Sequence, residues 1–377
     1  MSRQFDDAIV GAGILGLAHA YQLAKRGRKV VVFERDLMAC GASVRNFGML
    51  WPIGQPAGKM RKMALRSLEA WLSVLHSSGL WHERTGSLHL AYREDEAQVL
   101  QEFVRDSDNI EADCEFLSPQ KVLECSEAVR PEGLIAGMWS STEVCIDPRE
   151  ALERLPAWLK EEYGVQFEFG NTVTHYEPPH LMAGGEEWQA NHLYVCSGDD
   201  FSTLFPHLLR EGQMRRCKLQ MMRSQPLKET WRLGPMLAGG LTLRWYPAFQ
   251  DCQSLPALKK RIARELPEYD ALGIHVMVCQ NGKRELTIGD SHEYGDPSEP
   301  FDKGKIEDLI LGYLNTFLRV PELRIASRWH GTYAKHPTEP YFLSHAAPEL
   351  TVVTGVGGAG MTLSFGLADQ VVSEILG

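Results

Sequence analysis

Asp7-Ala8-Ile9-Val10-Gly11-Ala12-Gly13-Ile14-Leu15-Gly16, answered downstream by Val30-Val31-Val32-Phe33-Glu34, decides the fold. It reads as a buried strand, a glycine turn, a helix, a second buried strand and an acidic residue. Gly11 permits the tight turn, Gly13 allows a pyrophosphate to approach the backbone, and Gly16 allows helix and strand to pack closely. The helix start offers unpaired N–H groups and the positive end of a dipole to phosphate. Glu34 stands where a carboxylate accepts hydrogen bonds from a ribose, and its charge disfavours a ribose 2′-phosphate despite Arg35 beside it.

A second strand–glycine–helix unit closes the chain: Leu350-Thr351-Val352-Val353-Thr354, then Gly355-Val356-Gly357-Gly358-Ala359-Gly360, then a helical pattern carrying Leu363, Leu367, Val371, Val372 and Ile375. Two such units aim two helix N-termini at one extended ligand. NAD rarely needs the second, whereas FAD extends well beyond its pyrophosphate, so the pair favours FAD.

Between these ends, 377 residues suffice for about two domains. The net charge of −10 disfavours non-specific contact with DNA or anionic membranes, and no basic stripe interleaved with aromatics marks a nucleic-acid surface. The eight cysteines form no CxxC pair and no Cys/His cluster with zinc spacing, so no metal is expected and a reducing cytoplasm fits. The early apolar run lacks a basic flank and is broken by glycines, unlike an export signal, and no run is long enough to span a bilayer.

Helical spacing covers 59–77, 94–106, 258–266 and 306–318, and a further helical stretch to Glu162 follows Asp147-Pro148-Arg149. Strands are expected at 86–91, 165–169, 173–176, 192–198, 241–246, 275–280 and 285–289, the last three suggesting an antiparallel sheet. In the 241–246 strand, Arg244 and Tyr246 would share a face toward a pocket. No linker or repeat separates domains. The expected architecture is α/β: a Rossmann-like dinucleotide-binding domain of 1–78, 140–212 and 325–377, interwoven with an α+β substrate domain of 79–139 and 213–324 on a mostly antiparallel sheet. Asp199 and Asp200 look like a catalytic pair but suit capping of the next helix.

The chain resembles the D-amino-acid-oxidase-like FAD-dependent oxidoreductases, the group of glycine oxidase and sarcosine oxidase. The resemblance rests on the first glycine motif with Glu34, on Gly41-Ala42-Ser43 to Gly48, on Val195 to Gly198, on Trp329-His330-Gly331 and on Gly355 to Thr362. More narrowly, Ser43 to Pro52 and Ile288-Gly289-Asp290-Ser291-His292 resemble a subgroup associated with bacterial aminophosphonate catabolism.

The resemblance implies a glutathione-reductase-type FAD domain. Its cofactor contacts would come from Gly11, Gly13, Ile14, Leu15, Gly16, Glu34 and Arg35, and from Ala42, Ser43, Asn46, Phe47, Gly48 and Met49. Val173, Ser197, Gly198 and Gly331 would add to these, with Gly357, Gly358, Ala359, Gly360, Met361 and Thr362 at the ribityl chain and ring edge. Where relatives carry an arginine for substrate carboxylate, this chain has Tyr333, which disfavours a plain α-amino acid. No cysteine lies near 329–341 or 355–362, so noncovalent FAD is expected.

The reaction implied is oxidation of a small primary or secondary amine bearing an acidic group, plausibly 2-aminoethylphosphonate or its N-methyl form. Hydride leaves for flavin N5 and the imine hydrolyses to aldehyde plus amine or ammonia. Candidate catalytic or substrate residues are His330, Tyr333, Arg45, Tyr246 and His292, with Lys335 and Trp51 nearby in the reading. Arg45 suits either a substrate anion or a cofactor phosphate. Glycine, sarcosine or D-amino-acid oxidation, an NAD-dependent dehydrogenase and a noncatalytic FAD-bearing subunit are the alternatives. Oxygen or another acceptor would reoxidise the flavin, and a homo-oligomer is compatible with the sequence.

Overall fold

A computed structural model describes residues 3–107, 112–295 and 299–377. Residues 108–111 and 296–298 of the expected substrate domain lie outside the described residues.

Two large sheets organise the chain. In the first, five strands run parallel in the order Leu350–Thr354, Glu186–Val195, Gln4–Val10, Val30–Glu34 and Gln166–Phe169. Val30–Glu34 is buried throughout, as a continuous apolar run predicts for a strand covered on both faces. The hairpin Val173–Glu177 and His180–Ala183 extends one side of Glu186–Val195, and Phe342–Ala347 lies antiparallel on Leu350–Thr354. Helix Ile14–Lys25 packs on this sheet and against the helices Pro148–Tyr163 and Gly360–Leu376, and Lys59–Ser78 packs on Gly360–Leu376.

The register brings four strand ends together. Val10, Glu34, Val195 and Thr354 all finish at the same edge, so Gly11, Ser197 and Gly355 form one rim. Ligands of open parallel sheets bind outside this carboxyl edge.

The second sheet is mostly antiparallel. Its long pair is Arg215–Ser224 with Ile325–Lys335, flanked by Leu286–Gly289, Met277–Gln280, Met236–Ala238 and Ser87–Ala91. Met236–Ala238 with Ser87–Ala91 is its parallel exception. Residues 325–335, assigned from sequence to the dinucleotide-binding domain, thus hydrogen-bond into the second sheet. That strand crosses between the two units and brings Gly331 and Tyr333 to the cavity.

The strand expected at 241–246 is a 3-10 helix, Gly240–Arg244. Gly239 and Gly240 sit where a side chain has no room, a Cβ on Gly240 lying 2.2 Å from Glu96 Cδ, and the Thr242 hydroxyl donates to the Gly239 carbonyl at 2.6 Å. Residues 240–244 are all buried, so apolar alternation carried no information about a half-open face. Arg244 consequently does not reach the cavity. Its guanidinium donates to the carbonyls of Leu241, Tyr269 and Ile274 at 2.9–3.0 Å and approaches Asp270 at 3.3 Å.

Candidate active site

A single cavity of about 620 Å³ runs from the rim of the first sheet to the face of the second. At its first end stands the turn Gly11–Gly13. Gly11 has φ +99°, and a Cβ there would lie 2.6 Å from the Cys196 carbonyl oxygen. The helix that follows starts without a side-chain cap from Gly13; Ile14 N–H donates instead to Ser43 Oγ at 3.0 Å. Glu34 accepts from the backbone N–H of Ala12 at 2.9 Å and of Asp36 at 3.2 Å, fixing the carboxylate at the lip of the cavity. The helix start and the glycine backbone suit a pyrophosphate, and the anchored carboxylate suits a ribose diol.

Two of the expected cofactor residues do not line the cavity: Gly16 and Gly48. Both serve packing. A Cβ on Gly16 would sit 1.9 Å from the Gly11 carbonyl oxygen, and one on Gly48 would sit 2.1 Å from that of Ile146. The remaining expected cofactor positions do line it: Gly11, Gly13, Ile14, Leu15, Glu34, Arg35, Ala42, Ser43, Asn46, Phe47, Met49, Val173, Ser197, Gly198, Gly331, and Gly357 to Thr362. Arg35 is held by Asp200 at 3.0 Å, while Asp200 also accepts from the N–H groups of Ser202 and Thr203. Asp200 is thus a turn cap, and Asp199 lies beside Arg216 at 3.8 Å, so the two do not form a catalytic pair.

The middle of the cavity meets the start of helix Gly360–Leu376, preceded by the 3-10 turn Gly357–Ala359. Thr362 Oγ1 accepts from Trp51 N–H at 2.9 Å, and Met361 carbonyl accepts from Trp71 Nε1 at 2.7 Å. The first contact ties the helix start to the chain just after Asn46–Met49, and the second ties it to helix Lys59–Ser78. A helix beginning here places a positive dipole end against whatever occupies the middle.

The far end is built from side chains. Trp245, His292 and His275 stack in series, with ring centroids 5.0 and 4.9 Å apart and interplanar angles of 17°. Tyr246 meets His275 edge-on at 6.0 Å, and its hydroxyl lies 3.1 Å from Met277 Sδ. Tyr333 closes the wall at 6.3 Å from His292. Burial pushes the His292 imidazole down to about 4 and drives the Tyr333 phenol well above its ordinary value, so both are neutral near pH 7.

Arg45 and Lys335 supply positive charge on the cavity wall. Arg45 Nη1 donates to the His330 carbonyl at 3.1 Å, and Lys335 Nζ reaches the Tyr294 hydroxyl at 3.5 Å. Neither has a carboxylate within ion-pair distance among the described residues.

His330, a candidate from sequence, is not on this wall. Along Ile325–Lys335, Gly331 and Tyr333 face the cavity, and the intervening alternation turns the His330 ring outward to Asp302, 2.9 Å from Nδ1.

The structure adds two residues to which the sequence reading gave no site role, His275 and Asp290. With His292 they place one ligand-type atom each within 4.8 Å of one another. The separation of His275 and Asp290 in sequence hides this, since the two meet through backbone pairing: His275 N–H donates to Asp290 O at 3.1 Å and Asp290 N–H to His275 O at 2.8 Å. The available signal was a polar residue at the end of each of two adjacent apolar strands.

Comparison with known proteins agrees with this arrangement. A family model described as "FAD dependent oxidoreductase" matches residues 6–374. A glycine oxidase of Geobacillus kaustophilus is 30% identical over 150 residues, 37% of this chain and 39% of that protein. The bifunctional protein ThiO/ThiG of Nostoc is 22% identical over 95% of this chain and 51% of its own length. The chain therefore spans about two fifths and one half of these curated relatives. The crystal structure of L-proline dehydrogenase from P. horikoshii superposes with a TM-score of 0.79 at 17% identity, covering 100% of this chain and 94% of that one, a likeness of fold. No helix among the described residues is long and apolar enough to cross a membrane.

Proposed function

Because the chain belongs to the family of FAD dependent oxidoreductases, we propose that it oxidises a small primary or secondary amine that carries an acidic group, an aminophosphonate such as 2-aminoethylphosphonate or its N-methyl form. The observation that carries this reading is the single cavity. It joins two glycine-rich helix starts to an aromatic and histidine-lined end with two cationic side chains unpaired to carboxylates among the described residues.

FAD, when bound, supplies a two-electron acceptor for the C–H bond beside the amine nitrogen. The first turn and Ser43 would hold its pyrophosphate, and Glu34 its ribose. The helix start at Gly360–Thr362 would favour negative charge on the ring's pyrimidine edge. No cysteine lies in the Gly355–Thr362 turn, which supports noncovalent attachment. Lys335 and Arg45 would bind the substrate's acidic group. Tyr333 offers a neutral donor where a second guanidinium would grip a carboxylate bidentately, so a tetrahedral phosphonate fits this set better than an α-carboxylate. Trp245, Tyr246 and the stacked imidazoles exclude water from the reacting carbon. The similar glycine oxidase supports amine chemistry, and the resemblance at Ile288 to His292 supports the phosphonate.

The test is anaerobic bleaching of the FAD-loaded protein by glycine, sarcosine, D-alanine, 2-aminoethylphosphonate and its N-methyl form. The phosphonates are expected to bleach fastest. Bleaching by glycine alone overturns the substrate reading, and bleaching by none overturns amine oxidation.

A further inference from the structure

We propose that Asp290, backed by His275, is the base that binds the substrate's ammonium group and takes its proton. The inference rests on the amine-oxidation reading above and assigns that reaction its missing proton acceptor.

An aliphatic amine is protonated at neutral pH, like a lysine. The bond to that proton ties up the lone pair that must move toward carbon as hydride leaves. The oxidation therefore needs a group in the cavity that prefers to hold the proton. Among the described carboxylates on the wall, Glu34 and Asp36 stand at the ribose end, Asp199 and Asp200 sit beside Arg216 and Arg35, and Glu339 is exposed. Asp290 alone among them stands at the aromatic end.

Its side chain is 7% exposed and that of His275 6%. Asp290 Oδ1 lies 3.1 Å from His275 Nε2, yet without the alignment of a hydrogen bond, and Oδ1 and His275 Nδ1 have no other partner. A buried carboxylate oxygen left without a donor is destabilising. On a cavity wall, that is the signature of a ligand donor missing from the count. Asp290 lines the cavity, so an ammonium there meets its carboxylate, whose Oδ1 is turned toward His275.

The charges around the pair keep it tunable. Arg244, committed to backbone carbonyls and Asp270, lies close enough to depress His275 and His292, and Lys335 also depresses His292. Tyr246, Tyr294, Tyr333 and Cys217 face Asp290, and burial raises all four, so they stay neutral and bring no charge. Burial raises Asp290 and lowers His275, so of the two the carboxylate holds a proton more firmly, and the base is Asp290 in its ionised form.

The step balances. Ammonium and the deprotonated Asp290 with neutral His275 become neutral amine and the pair carrying one added proton. One N–H bond breaks, one O–H bond forms, and no net charge is created in the buried site.

The same three side chains suggest a metal, but the His275 and His292 ring planes are within 17° of parallel. Their in-plane lone pairs run side by side rather than converging on one ion.

The experiment is stopped-flow anaerobic reduction of the FAD-loaded protein by N-methyl-2-aminoethylphosphonate and by sarcosine across pH. It compares wild type, Asp290→Asn and His275→Gln, with FAD content and melting temperature measured on each. Wild type is expected to gain rate through an apparent pKa below that of the free ammonium. Asp290→Asn should be about 100-fold slower at neutral pH and recover about tenfold per pH unit as free amine appears in solution. His275→Gln should show the same limb, displaced less. Parallel pH profiles in wild type and Asp290→Asn overturn the proposal; if that variant loses FAD, an undisplaced limb in His275→Gln does so. Rate lost to a chelator and restored by a divalent cation also overturns it. Failure of both amines to reduce wild type overturns the functional reading, and this inference with it, which separates that failure from one seen only in the variants.

Discussion

The two ends of the cavity are made of different material. At the glycine end, contacts come from backbone N–H groups, a carboxylate fixed by two of them and the Ser43 hydroxyl, and these positions all fall within residues 12–43. At the amine end, side chains converge from Trp245 and Tyr246 just after the 3-10 helix Gly240–Arg244, from the segments around His275 and Asp290, and from the crossing strand Ile325–Lys335. A dinucleotide changes little from one protein to another, so backbone geometry suffices to hold it. A substrate site has to discriminate, and that requires side chains set by tertiary packing.

Breaking the glycine end should have the largest effect. Gly16→Val puts methyl groups where even a Cβ lies 1.9 Å from the Gly11 carbonyl, so the turn must open. The purified variant should carry no flavin, with affinity for added FAD down by more than about 100-fold. Arg244→Met strikes the scaffold of the other end, leaving three buried carbonyls without their donor. A loss of about 3 kcal/mol in stability is expected, read as a lower melting temperature, with FAD still bound.

This contrast explains what the sequence made legible. The first strand–turn–helix, the parallel sheet and the closing glycine unit follow from local spacing, because glycine and β-branched runs have few other uses at such intervals. The 241–246 segment misled because full burial on all sides erases period two. His330 misled because its place beside Gly331 says nothing of which way the strand turns it. Asp290 and His275 stayed hidden because strand pairing, not sequence distance, joins them.

Three smaller effects sharpen the comparison. Lys335→Met should raise KM for an anionic amine about tenfold while kcat and bound FAD stay near wild type, since only the acidic group's anchor is lost. Acid should weaken both ends together. His19, in the first glycine helix, and His292, at the amine wall, are each lowered to about 4 by burial. The unfolded chain binds protons at these sites below about pH 6.5 while the folded one does not, so stability is full above that pH and declines toward pH 4. Melting temperatures across this interval should fall, less steeply in His19→Gln. The smallest effect belongs to His330→Ala, whose outward ring predicts less than about a twofold change in reduction rate.

The central claim is that one extended FAD joins both glycine turns and ends against the histidine and tyrosine wall. A crystal structure of the FAD-loaded protein tests it most directly. The expected density places the pyrophosphate at Gly11–Ile14 and the pyrimidine edge of the ring at Gly360–Thr362, with Asp290, His292 and Tyr333 facing the ring. Density that stops short of Gly357, or a ring turned away from Asp290, would contradict the account.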